Sequence, residues 1–315
     1  MLRALPAAFV VEDEPLIELL RRLEALDYDF VTPTPLTHER VLRNREGRPA
    51  QTLRDIFGWS LPFASEALDP SLLRLLEKAD ALVTAQAGFR SRYRVSKAAG
   101  TLFLHSAYPT AAADSVFFGP DTYRFIALVR SELPPTATRL VDMGAGCGAG
   151  GICAAAQLAG TAIVLVDSNA EALRLARINA AAAGVAVETI LADKLAAVDG
   201  VFDLVIANPP FLVDEARRSY RHGGGMLGAE AGFDWAMEAA GRLAPGGRMI
   251  LYSGSAISGG RDTLRDRLAD SLRRRDFTLR YDEIDPDIFG EELDRDIYRD
   301  VERIAAIGAV IVREG

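Results

Sequence analysis

The chain has 315 residues, 49% hydrophobic and 25% charged, the averages of a soluble globular protein with room for two domains, which excludes disorder, collagen and biased repeats. No apolar run reaches the roughly 18 residues of a membrane span, and Glu12, Asp13 and Glu14 interrupt the only apolar start, so a cytoplasmic protein is expected. The net charge of −8 argues against coating nucleic acid through bulk electrostatics. Cys147 and Cys153 form no disulfide framework, and the scattered His38, His105 and His222 offer no metal-ligand spacing; no metal is expected.

Residues 1–110 carry 14 basic and 14 acidic residues, so the acidic excess lies in residues 111–315. In the N-terminal part, Leu16, Leu19, Leu20 and Leu23 predict one helix over Glu14 to Ala25, and Leu72, Leu75 and Leu76 another over Ser71 to Ala81. Thr32 to Leu36 and Asn44 to Pro49 are predicted loops. Arg92 to Val95 and Thr101 to Tyr108 predict a hairpin joined by Ser96 to Gly100. It holds Arg90, Arg92, Arg94 and Lys97 in an acid-free stretch, which reads either as a docking patch for an anionic partner or as a solvated hairpin. The expectation is an N-terminal helical, winged domain over 1–110 for substrate recognition.

From residue 111 strands alternate with helices, the rhythm of an α/β fold with a mostly parallel, doubly wound sheet. The strands are Leu140 to Met143, Ile163 to Val166, Val185 to Leu191, Phe202 to Ala207, Arg248 to Ser253, Phe277 to Asp282 and Ile304 to Val312, a catalytic domain over 111–315. Ser168 is the expected cap, and Gly184 the stop, of the helix after the second strand.

Asp142-Met143-Gly144-Ala145-Gly146-Cys147-Gly148 leaves the first strand and opens a helix, where glycines let backbone approach a ligand. It also satisfies a loose dinucleotide fingerprint, with Asp167 about 20 residues on for ribose hydroxyls. A nucleotide-dependent dehydrogenase stays open on this loop, although no hydride-transfer partner such as a Tyr-x-x-x-Lys is read in the sequence. Asn208-Pro209-Pro210-Phe211 closes the fourth strand, and its prolines fix an extended loop. An Asn oxygen and a neighbouring carbonyl there would accept both N–H bonds of a planar nitrogen and aim its lone pair, while Phe211 packs on the planar group.

The D-x-G-x-G-x-G loop and the N-P-P-F string resemble class I S-adenosylmethionine-dependent methyltransferases, in particular the release-factor glutamine N5-methyltransferase and small-domain rRNA guanine-N2 methyltransferase group. Phe118 to Thr122, Ala176-Arg177-x-Asn179-Ala180, His222 to Gly225, Gly228 and Leu243 to Gly247 match as well. The resemblance implies S-adenosyl-L-methionine as cofactor, held by Asp142, Gly144, Gly146, Gly148, Asp167, Asp193 and Asn208, with Asp193 on the adenine amino group. It implies catalysis by Asn208, Pro209, Pro210 and Phe211 on a protein glutamine or an RNA base, with no membrane partner. The alternatives are a small-molecule methyltransferase or a catalytically idle cofactor-binding docking protein. Ser253-Gly254-Ser255 stands where the glutamine enzymes carry an acidic ending of the fifth strand.

Overall fold

The computed structural model describes residues 11–86, 88–214, 221–273 and 276–315. The N-terminal part contains helices α1 (Glu14–Ala25), α2 (Pro35–Asn44), α3 (Leu53–Phe57) and α4 (Pro70–Lys78) and two hairpins, β1 (Leu82–Ala85) with β2 (Gly88–Ser91) and β3 (Tyr93–Ala98) with β4 (Thr101–Ser106). Then follow α5 (Pro120–Glu132), β5 (Arg139–Met143), α6 (Ala149–Ala155), β6 (Ala162–Asp167), α7 (Ala170–Ala182), β7 (Glu188–Leu191) and β8 (Phe202–Ala207). The chain ends with α8 (Glu230–Ala240), β9 (Leu243–Ser258), β10 (Arg261–Asp262), α9 (Thr263–Leu272), β11 (Phe277–Asp285) and β12 (Arg303–Arg313).

All the strands expected beyond residue 111 join one sheet, in the order β11-β12-β9-β8-β5-β6-β7, with β10 paired to β9. Strands β5 to β9 pair in parallel, and β12 runs antiparallel between β9 and β11. The central strands are apolar on both faces, as a sheet covered on both sides requires. Odd positions such as Val141, Val205 and Met249 pack with Ala236 and Leu264 of α8 and α9. Even positions such as Leu140, Leu204 and Ile250 pack with Phe125, Ala154 and Leu173 of α5, α6 and α7. Order reverses between β6 and β8 on either side of β5, and a ligand crevice opens at the carboxyl ends of strands flanking such a point. Met143 pairs with Ala207, so Gly144 and Asn208 leave the sheet side by side.

Helix α1 sits on α7, where Leu16, Leu19 and Leu23 share one apolar core with Leu175 and Ile178. Four local expectations are corrected. Pro35 starts α2 and ends the supposed loop, because Thr34 accepts from Thr37 N (3.2 Å) and proline suits a first helical turn. Asn169, not Ser168, caps α7, accepting from Glu171 N (3.0 Å) and Ala172 N (3.4 Å). Strand β3 runs on to Ala98, because Ala99 and Gly100, both left-handed, make a two-residue hairpin turn. The four basic residues near the hairpin do not share one surface as a set: Arg94 is 3% exposed, while Arg90 and Arg92 are exposed and Arg92 pairs with Asp80. Among the described residues no helix is long and apolar enough to cross a membrane.

Candidate active site

The glycine loop folds onto the end of β6. Gly144 N and Ala145 N donate to Val166 O (2.8 and 3.0 Å), and Gly146 N donates to Asp167 Oδ2 (2.8 Å). Gly144, Gly146 and Gly148 all take left-handed backbone, with φ of 70°, 54° and 81°. Gly148 opens α6 and lies behind the cleft; a Cβ there would come within 3.1 Å of Ala176 Cβ on α7. Asp142 also lies behind the cleft. It is fully buried, its Oδ2 accepts from Gly151 N (2.8 Å), and its Oδ1 has no partner. Burial pushes the Asp142 carboxyl up to about 7.

One cleft gathers the other candidates: Gly144, Gly146, Asp167, Asp193, Asn208, Pro209, Pro210 and Phe211 all line it. Asp167 closes β6 with Oδ1 accepting from Asn169 N (2.9 Å) and Oδ2 from Gly146, and burial raises its pKa. A carboxylate has about four acceptor sites, so two remain. Asp193 is exposed at the rim, and Lys194, not Asp193, precedes the short 3-10 turn Leu195–Ala197. Asn208 is half-buried, and its side-chain amide makes no hydrogen bond to a described residue.

Just beyond Asn208 the chain packs closely on the backbone of residues 223 and 228. Gly223 N donates to Leu212 O (2.7 Å), and a Cβ at Gly223 would lie 1.8 Å from Gly228 O. A Cβ at Gly228 would lie 2.4 Å from Phe211 O, so the glycines after His222 serve close chain packing. Phe211 itself seats on Gly254, where a Cβ would approach Phe211 Cδ2 to 2.3 Å, and meets Tyr252 edge-on with ring centres 6.3 Å apart. The missing acid of the fifth strand is thus a place made for an aromatic ring.

Sequence reasoning passed over three lining residues. Asp121, in the first turn of α5, accepts from Tyr252 Oη (2.6 Å), and burial raises its pKa. Its signal lay within the Phe118 to Thr122 string. Trp235 of α8 stands over Gly144, 2.6 Å from where a Cβ would be, and Phe289 reaches the cleft from the segment between β11 and β12; nothing in their local sequence marks them. A Tyr-x-x-x-Lys spacing does occur, at Tyr93 and Lys97, which corrects the sequence reading. It lies on β3, and Tyr93 Oη is engaged by Glu171 and Arg174 outside the cleft.

The strand order, the glycine loop on the first parallel strand and the Asn-Pro-Pro-Phe loop on the fourth together define a class I methyltransferase fold. Residues 126–258 match the family model of the methyltransferase small domain, bearing out the relationship that the motifs implied. The chain is 33% identical over 153 residues to a release factor glutamine methyltransferase of Deinococcus radiodurans, covering 45% of this chain and 55% of that protein. It is 31% identical over 121 residues to a ribosomal RNA small subunit methyltransferase C of Shewanella amazonensis, covering 38% of this chain and 34% of that protein. The matched stretch thus spans about half the relative's length or less. A solved ribosomal protein L11 methylase of Lactobacillus delbrueckii aligns with 19% identity and a TM-score of 0.43, over 63% of this chain and 81% of that one.

Proposed function

We propose that the protein is an S-adenosylmethionine-dependent N-methyltransferase whose acceptor is a planar side-chain amide nitrogen of a protein, in the manner of a glutamine. One observation carries the reading: Asn208 leaves the sheet beside the glycine loop, in the same cleft as Asp167 and Phe211.

The residues present fit the cofactor. A Cβ at Gly146 would meet no atom within 4 Å, so bare backbone faces the cleft there. The free acceptor sites of Asp167 suit two ribose hydroxyls, and Asp193 at the rim is within the same lining. S-adenosylmethionine, when bound, supplies a methyl group on a sulfonium centre.

Asn208 Oδ1 and a carbonyl beside Pro209 accept the two N–H bonds of the acceptor, turning its lone pair out of conjugation and toward the cofactor side of the cleft. Phe211, immobilised on Gly254, presents its face to the planar group. As the nitrogen gains the methyl group, the methyl–sulfur bond breaks to leave the thioether product and the nitrogen's proton departs to solvent; positioning and fixed dipoles carry the rate, with no dedicated side-chain base.

A protein acceptor is favoured over RNA by charge. The segment that brings Phe289 to the cleft exposes Asp287, Glu291, Asp294, Asp296 and Asp300 against only Arg299. Exposed acids there repel a phosphate backbone that approaches past Phe289, and Arg94 of the hairpin is turned inward. The test is transfer of a radioactive methyl group from S-adenosylmethionine into extract of a deletion strain, with protein and RNA counted separately. Label in protein, recovered as a methylated amide, is expected; label confined to RNA, or to small molecules, overturns the acceptor.

A further inference from the structure

Phe289 sets an aromatic ring in the cleft on a strained backbone. Its backbone is left-handed, with φ 54° and ψ 40°, which for a bulky residue is a strained conformation. Glycine is the residue for that geometry, and a glycine is adjacent, yet Gly290 takes no left-handed backbone and a Cβ there would meet nothing within 4 Å. The chain thus places phenylalanine at the strained position and glycine at the one that does not need it. A turn alone would be made more easily in the opposite order.

The strain is held by its surroundings. Ile288 N donates to Ile304 O of β12 (2.8 Å), and Glu292 N donates to Phe289 O (2.8 Å). Glu292 is buried between Arg221 and Arg295, and Arg295 also donates to Val213 O. Val213 N in turn donates to Tyr298 Oη (2.8 Å). The segment carrying Phe289 is therefore bolted to the chain that follows Phe211. Its ring lines the cleft and meets Phe211 edge-on, with centres 5.8 Å apart and planes at 62°. With Gly254 against one face of Phe211 and Tyr252 at its edge, Phe289 closes another side of the ring and leaves the rest to the cleft.

We propose that Phe289 is a specificity-determining residue: a fixed aromatic wall that touches the planar acceptor group and limits how large a group reaches Asn208. The inference rests on the acceptor slot of the proposed function. Phe289 lies beyond residues 126–258, so this wall belongs to the part of the chain outside the family match.

The experiment uses the full chain saturated with S-adenosylhomocysteine, with benzamide as a planar primary amide probe, its affinity read by ligand-observed NMR in the wild type, Phe289→Ala, Phe289→Leu and Phe289→Gly. Benzamide should bind the wild type, bind the alanine and glycine variants at least 5-fold more weakly, and bind the leucine variant in between. Affinity for the cofactor product should stay within 2-fold throughout. Phe289→Gly keeps the proposal falsifiable should the alanine variant misfold, because glycine relieves the backbone strain. In the labelled-methyl assay the same variants should raise the acceptor KM at least 10-fold with kcat changed less. No binding of benzamide to the wild type, equal binding by all four proteins, or a parallel loss of cofactor-product affinity overturns the proposal. If benzamide discriminates as expected while the wild type labels no acceptor, the slot stands and the methyl-transfer reading falls.

Discussion

Asn179 of α7 joins the N-terminal hairpin to the glycine loop. Its Oδ1 accepts from Leu104 N (2.7 Å), and its Nδ2 donates both to Leu104 O (3.0 Å) and to Cys147 O (2.9 Å). The side chain is 0% exposed, so a wet alternative to these bonds does not exist. It behaves as a strand partner for β4 and at the same time sets the peptide of Cys147, one residue beyond Gly146.

Removing this side chain should therefore be felt in both places. Asn179→Ala leaves Leu104 N, Leu104 O and Cys147 O buried and unpaired, at a cost on the order of 3 kcal/mol. Asn179→Asp should be worse, because a carboxylate would face two carbonyl oxygens. Urea unfolding gives the stability, and calorimetry with S-adenosylhomocysteine gives the loop. A stable Asn179→Ala protein with unaltered affinity would show that the bridge is incidental.

Asn208 should behave in the opposite way. Its amide has no partner to lose among the described residues, so Asn208→Ala should fold normally and hold the cofactor within about 2-fold, while methyl transfer falls roughly 100-fold, about 2.7 kcal/mol of transition-state stabilisation. Full turnover in this variant would assign the loop a structural role only.

The strands and the glycine loop were readable because continuous apolar runs such as Leu204 to Ala207 have few ways to be buried, and glycines at Gly144 and Gly146 mark backbone that only glycine adopts cheaply. Phe289 was not readable, because its place in the cleft depends on a register between β11 and β12 and on a positive φ that the sequence around it does not announce. Arg94 misled for a related reason. On an isolated hairpin it alternates with Tyr93 and Val95, but in the fold its side chain is turned inward and 3% exposed.

That burial gives a third expectation. Arg94 Nε donates to Ser106 O (3.2 Å), burial lowers the guanidinium pKa to about 10, and no carboxylate among the described residues pairs with it. Arg94→Glu should cost about 3 kcal/mol or more in unfolding free energy, since it sets a buried carboxylate against Ser106 O. Arg90→Glu and Lys97→Glu, farther out, should each stay within about 0.5 kcal/mol. Methylation lost in step with RNA affinity in the two outer variants, with Arg94→Glu still folded, would restore the basic patch.

Asp142 predicts a pH dependence. Its folded pKa, raised to about 7, exceeds the unfolded carboxylate value of about 3.9, so the fold favours its protonated form. The stability it confers is complete below about pH 4 and is lost as pH rises through about 7, with a slope of at most roughly 1.4 kcal/mol per pH unit. Burial raises Asp121 and Asp167 as well, and their contributions have the same sign. Asp142→Asn keeps an acceptor for Gly151 N without titrating, so its urea midpoint should fall less than the wild type's between pH 5 and pH 8. Equal falls would place the titration elsewhere.

The seat of Phe211 can be tested through a residue that touches neither cofactor nor acceptor. A Cβ at Gly254 would lie 2.3 Å from Phe211 Cδ2 and 2.8 Å from Phe211 Cε2, far inside any normal contact, and the opposing atoms belong to a side chain that has somewhere to go. Gly254 has no left-handed backbone, so alanine there brings no conformational strain of its own. Gly254→Ala should therefore fold and displace the ring into the cleft, lowering kcat/KM for the acceptor by roughly 10- to 100-fold, about 1.4 to 2.7 kcal/mol, with cofactor affinity unchanged. Phe211→Leu alone should cost a similar amount by removing the flat surface. Because both act on one ring, the double variant should lose little more than either single one, and a cycle of the four proteins measures that coupling. Additive losses would mean that Gly254 acts on the site by some route other than Phe211.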